Sequence, residues 1–140
     1  MDNPEMRSRM RTTFDEDPTL YDRTRPVCPE SLFDDLVATA RFSAGARLVE
    51  IGCGTGQATL PLARRGFAIV AIELGERLAA FARQKLAGFP NVEIVNVPFE
   101  QWDASDAGFD GVIAVHSFHY TEDDYISLLS TTSWHHALAE

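Results

Sequence analysis

The rhythm of apolar and polar residues changes along the chain, and each change predicts an element. Leu32, Phe33, Leu36, Val37 and Ala40 recur at three- and four-residue steps, so a helix with one apolar face is expected from about Glu30 to Arg41. Ser43-Ala44-Gly45 breaks it. Ala46 to Ile51 reads as a first strand. Gly56 to Arg65 reads as a helix closed by Gly66, and the internal Pro61 demands a kink or a late start. Phe67 to Glu73 is a second strand, in which Ala68 to Ile72 run without a polar interruption, as in a parallel sheet covered on both faces. Glu76 to Ala87 forms an amphipathic helix with Leu78, Phe81, Ala82 and Leu86 inward and Gly88 as its cap. Val92, Ile94, Val95 and Val97 make a third strand, and Gly111 to Ser117 a fourth. Ahead of these lie a polar arm over residues 1–20, partly disordered, and an irregular, proline-punctuated stretch from Tyr21 to Pro29. Strands alternating with helices define a Rossmann-like, doubly wound α/β domain with a mostly parallel sheet of about four strands.

The junction after the first strand carries the chemistry. Leu48-Val49-Glu50-Ile51 runs into Gly52-Cys53-Gly54-Thr55-Gly56-Gln57, with a glycine at every second position. Glycine permits a tight turn and lets backbone approach a ligand where a Cβ would clash. Such a turn at the carboxyl end of a first parallel strand marks a nucleotide-type pocket. A dinucleotide fingerprint would need glycine at position 57, which is Gln57. Glu50 beside the loop would repel a pyrophosphate and favour a ligand bearing positive charge. Glu73 ends the second strand, 21 residues after Gly52, where a carboxylate can accept both hydroxyls of a ribose.

This stretch resembles motif I of the class I S-adenosylmethionine-dependent methyltransferases. The resemblance implies S-adenosylmethionine as cofactor, cradled by Glu50, Gly52, Cys53, Gly54 and Gly56, with Glu73 and Leu74 at its ribose. The family often has an aspartate at the adenine amino group after the third strand, but this chain has Pro98 there. Phe99 and Glu100 are then adenine contacts, or else a core phenylalanine and a surface glutamate. Tyr21-Asp22-Arg23-Thr24-Arg25-Pro26 resembles a Y-x-x-x-R-P segment of one group of these enzymes. The resemblance implies Tyr21 closing over the methionine end and Arg25 pairing with its carboxylate; a proline-stiffened turn is the bland alternative. His116 and His119 close the fourth strand, where the acceptor would sit. A histidine there can take a proton during transfer, or simply pack.

Composition narrows the setting. The chain of 140 residues carries a net charge of −9, which disfavours a broad grip on nucleic acid, and Arg7, Arg9 and Arg11 form its basic cluster. Cys28 and Cys53 form no C-x-x-C pair, so a disulfide framework is not expected and a reducing cytoplasm is the natural setting. No run is apolar enough to cross a bilayer, and no apolar segment follows the N-terminal charges as in a secretory signal. The four histidines make no zinc set, so no metal is expected. No N-P-P-Y or D-P-P-Y sequence is present; in the resembling family that motif methylates planar amide and base amino groups. A small-molecule acceptor is therefore the leading reading. The alternatives are a non-catalytic cofactor-binding or interaction module and, disfavoured by Gln57 and Glu50, a nicotinamide-dependent oxidoreductase domain.

The resemblance implies a seven-stranded sheet ordered 3-2-1-4-5-7-6, whereas this sequence supplies four strands and an acidic, helix-like segment from Thr121 to Ser130. Residues 21–130 are read as the cofactor-binding domain. Residues 131–140 are an atypical tail in place of the expected Pro-Gly-Gly turn and further strands, as in a truncated product. Without a fifth strand, the edge carrying Val112, Ile113 and Val115 would invite self-association.

Overall fold

In the computed structural model of the chain, residues 15–104 and 108–115 are described. They form helix α1 (Pro18–Thr24), helix α2 (Glu30–Ala40), strand β1 (Arg47–Ile51), helix α3 (Thr59–Arg64), strand β2 (Ala68–Ile72), helix α4 (Glu76–Lys85), strand β3 (Val92–Val95), a 3₁₀ turn (Phe99–Gln101) and strand β4 (Gly111–Ile113). The strands pair in parallel in the order β3-β2-β1-β4. β1 is therefore central, and its carboxyl end lies beside that of β2. This is the doubly wound arrangement expected from the sequence.

Alternation along the strands sends residues to two different layers. Leu48, Ile69, Ala71 and Ile113 pack with Phe33 of α2, Leu62 of α3 and Ala82 of α4. Val49, Ile51 and Ile72 turn the other way and meet Phe99, Trp102, Phe109 and Val112. Glu50 shares the register of Leu48, so its carboxylate is delivered to the helix-covered layer. It is 2% exposed there.

Several expected boundaries move for physical reasons. The stretch taken as an arm and irregular linker contains α1: Asp17 caps it by accepting from the Leu20 N–H at 2.9 Å, and Pro18 fits the first turn, where its missing N–H costs nothing. Helix α3 takes the late start that Pro61 required, at Thr59, and Gly66 ends it with φ 84°. Helix α4 stops at Lys85 with Leu86 as its cap, so Gly88 does not play that role. Leu32 and Ala40 are exposed, and the buried face of α2 narrows to Phe33 with Leu36 and Val37 half-buried. β4 leaves the ladder after Ile113, before Ser117, because β1 ends at the glycine loop and offers it no further partner. Expectations for residues 1–14 and 116–140, including the acidic segment and the tail, lie outside the described residues.

Candidate functional site

The site begins where β1 gives out. The N–H groups of Gly52 and Cys53 both donate to the Ile72 carbonyl, at 2.8 and 3.2 Å, pinning the loop to the end of β2. Gly52, Gly54 and Gly56 then take φ of 68°, 57° and 84°. That left-handed region penalises any residue with a Cβ, which accounts for glycine at alternate positions. Space adds a second constraint at two of them. A Cβ on Gly54 would stand 3.2 Å from the Tyr21 ring, and one on Gly56 would stand 2.9 Å from Leu86 Cδ1.

Two carboxylates flank this loop. Glu50 accepts from Thr59 Oγ1, the first residue of α3, at 2.5 Å. Burial pushes its carboxyl up to about 7; the Thr59 bond opposes the shift, and the charge of Glu73 adds to it. Glu73 is 7% exposed and accepts from the Gly54 and Gly75 N–H groups, each at 2.8 Å. Burial raises its carboxyl too, against the pull of those backbone bonds. Glu50 and Glu73 thus sit close enough to feel one another, on adjoining strand ends around one loop. Burial, with both carboxylates adding to it, also raises the Cys53 thiol well above its usual range, so at neutral pH it is a protonated, inert side chain.

Residues 15–25 cross over the loop as a strap, tied down by side chains that local sequence patterns do not reveal. Asp15 Oδ1 accepts from the Leu78 N–H at 2.8 Å, capping α4, and the Glu16 carbonyl accepts from Arg77 at 3.1 Å. The Asp22 carboxylate meets Lys85 Nζ at 2.8 Å, while its carbonyl accepts from Gln57 Nε2 at 3.2 Å. Burial alone would raise the Asp22 carboxyl, but the bond from Lys85, with the nearby Thr55 hydroxyl adding to it, outweighs it and holds it below its usual value. Arg25 lies 4.7 Å from the centre of the Tyr21 ring. Beyond the loop, Asn96 donates to the carbonyls of Glu73 and Leu74, at 2.8 and 3.0 Å, and fixes the end of β2. Asp15, Asp22, Gln57, Thr59, Lys85 and Asn96 are site residues that sequence reasoning missed. Apart from the Thr59–Glu50 pair, their partners are 22 to 63 residues away, and Asp17-Pro18 was the one local signal for the strap's helix.

A cavity of about 220 Å³ opens between the strap and α3. Tyr21, Arg25, Glu50, Gly52 and Cys53 line it together, as expected of one site. Glu73 is not in its wall, because its oxygens turn onto the Gly54 and Gly75 N–H groups behind the loop. Phe99 is buried with Val49, Ile51 and Ile72, and Glu100 is exposed; neither reaches the cavity. His116 and His119 lie outside the described residues. Among the described residues no cluster of three His, Cys, Asp or Glu side chains could hold a metal ion.

Fold and site together define an α/β domain with a nucleoside-type glycine loop flanked by acids. Residues 48–136 match the family described as "Methyltransferase domain". The chain is 31% identical over 111 residues to the putative methyltransferase YqeM of Bacillus subtilis (77% of this chain, 44% of that protein). It is 34% identical over 116 residues to the magnesium-protoporphyrin O-methyltransferase of Rhodobacter capsulatus (81% and 46%). Among solved structures, the glycopeptide N-methyltransferase MtfA complexed with sinefungin shares the fold at a TM-score of 0.62 and 21% identity, over 76% of this chain and 48% of that one. This chain belongs to the methyltransferase domain family. It spans less than half the length of the curated relatives it matches.

Proposed function

We propose that the chain binds S-adenosylmethionine and supports transfer of its methyl group to a small-molecule acceptor. The observation that carries this reading is the placement of Glu50 and Glu73 around a loop of three left-handed glycines. The donor set fits the ligand: a cavity-lining carboxylate suits an ammonium and a sulfonium, and of the cations in the cavity wall Lys85 is paired with Asp22 and Arg25 is stacked on Tyr21. Glu50 would face the cationic end. Glu73 has lone pairs beyond those given to Gly54 and Gly75, and these would take the ribose hydroxyls with Leu74 alongside. Tyr21 and Arg25, in the cavity wall, would border the methionine carboxylate. The bound donor supplies an electrophilic methyl on sulfur; the chain's own contribution is to orient and to exclude water. His116 and His119 are our candidates for the acceptor side.

For the acceptor, the net charge of −9 favours a small molecule over RNA. The relatives include both kinds: a demethylmenaquinone methyltransferase of Clavibacter sepedonicus and ribosomal RNA methyltransferases. The free thiols Cys28 and Cys53 support a cytoplasmic setting. Among the described residues no helix is long and apolar enough to cross a membrane. β4 ends the described sheet and carries Val112, and we place any self-association on that edge.

Calorimetry with S-adenosylhomocysteine and with NAD tests the donor: binding of the first and not the second is expected, and the reverse would overturn the proposal. Transfer of a labelled methyl group, assayed in parallel against a metabolite extract and total RNA, tests the acceptor. Label in the RNA fraction alone would refute the small-molecule reading.

A further inference from the structure

The cavity is open at Glu50 and closed at Glu73. The Glu73 carboxylate lies between Gly54 and Gly75, accepting from the N–H of each at 2.8 Å. The strap covers both glycines. A Cβ on Gly54 would stand 3.2 Å from the Tyr21 ring, and one on Gly75 would stand 2.5 Å from Asp15 Oδ1. The same Asp15 oxygen accepts from the Leu78 N–H at 2.8 Å, at the start of a helix whose own preceding residue, Gly75, has no side chain to cap it. Glu73 is thereby left 7% exposed and outside the cavity wall. The volume agrees with this closure. The open cavity measures about 220 Å³, whereas pockets that enclose a drug-sized ligand run from about 300 Å³ upward. An amino-acid end fits in the open part, and a nucleoside does not fit with it.

We infer that the strap is an autoinhibitory plug: Asp15 and Tyr21 fill the nucleoside half of the donor site, and the donor reaches Glu73 only when the Asp15 end lifts. The inference rests on the donor reading above and adds a gate to it. The attachment suits a gate. Helix α1 has no buried residue and its Leu20 is 55% exposed, so little apolar surface holds it down. Its ties are polar: Asp15 to Leu78, the Glu16 carbonyl to Arg77, and Asp22 to Lys85. Water can replace each of them. Asp15 also brings its negative charge up to Glu73, and like charges favour separation once Glu73 is ionised. The chain behind the strap is firm, because Phe33, 1% exposed, anchors α2. Backbone at Arg25 and Pro29 is extended, which gives the strap a connector to swing about while α2 stays in place. A closed majority lowers the apparent affinity for the donor in proportion to the open fraction.

Calorimetry with S-adenosylhomocysteine compares wild-type chain with Asp15→Ala, which removes the bond and the bulk, and with Asp15→Asn, which keeps an acceptor and the bulk. Circular dichroism checks the folding of each. Asp15→Ala should bind about fivefold more tightly, the equilibrium factor of one typical capping bond, and Asp15→Asn should stay within about twofold of wild type. Unchanged or weaker binding by Asp15→Ala, or an equal gain in Asp15→Asn, would overturn the plug while leaving the donor reading intact. Wild-type chain supplies a second readout that needs no variant. Saturation with S-adenosylhomocysteine should speed backbone hydrogen exchange over residues 16–21. Slower or unchanged exchange there would show a donor held beneath a closed strap, and would overturn the inference. Failure of every folded chain, Asp15→Ala included, to bind S-adenosylhomocysteine would overturn the donor reading, and this inference with it.

Discussion

Thr59 Oγ1 donates to the Glu50 carboxylate at 2.5 Å at the inner wall of the cavity, with Thr59 itself fully buried. The first turn of α3 is thereby tied to the last turn-facing residue of β1, on both sides of the glycine loop. The pair also stores a pH dependence. Glu50 titrates at about 7 in the native chain against 4.5 when free. Between those values the native chain holds a proton that the unfolded chain has released, so stability falls as pH rises across the window and levels off above it. Glu50→Gln keeps an acceptor for Thr59 and removes the titration. We expect it to be about 3 kcal/mol more stable than wild type at pH 8, and close to it at pH 4.5, since each pKa unit is worth about 1.4 kcal/mol. Urea unfolding at the two pH values measures the difference.

The same proton opposes ligand binding. A cation beside Glu50 requires the ionised form, so affinity for S-adenosylhomocysteine should fall as pH drops below about 7 and be constant above it. The loss from pH 8 to pH 6 should be about tenfold. In Glu50→Gln the profile should be flat and the affinity low throughout. Calorimetry in buffers of different ionisation enthalpy would also detect the proton released on binding at pH 6.

Gly56 is constrained twice, by φ of 84° and by Leu86 at 2.9 Å from a Cβ position. Gly56→Ala should cost about 2 kcal/mol, from left-handed strain together with the displaced leucine. Gly45 takes φ of 73° with nothing near its Cβ position, so Gly45→Ala should cost only the strain, about 1 kcal/mol. Thermal unfolding of the two variants separates the steric part from the conformational one.

Lys85 and Asp22 are each 24% exposed, so their ion pair is partly screened and worth about 1 kcal/mol or less to global stability. Its larger effect is on the strap. Lys85→Met should leave the unfolding midpoint nearly unchanged and raise backbone hydrogen exchange over residues 18–25 severalfold, since that segment would open locally. A uniform rise across the β-strands as well would show that the pair supports the whole fold instead.

Local patterns revealed the frame of this protein and little of its wiring. β1 and β2 were legible because apolar runs in a parallel sheet are bounded by turn residues, and the late start of α3 was legible from Pro61. The glycine loop was legible from its spacing and the two acids from their places at the strand ends, and Glu50 lies in the cavity wall. Helix α1 was missed because it is short and has no buried residue, which left its capping pair Asp17-Pro18 as the one clue. Contacts such as Asp15 to Leu78 and Asp22 to Lys85 join points 63 residues apart, and no local periodicity encodes them. The direction of the Glu73 oxygens was equally hidden, because it depends on backbone N–H groups freed only once the loop has taken its left-handed turns.

Tyr21, Arg25 and Cys28, on the strap and the connector that follows it, precede residue 48, where the family match begins. One wall of the chamber is held to the sheet by detachable polar clasps and not by strand pairing. Exchanging residues 15–30 for the equivalent stretch of another member would give a chimera with an unaltered four-stranded sheet and a redecorated entrance, a modular handle on what this protein admits.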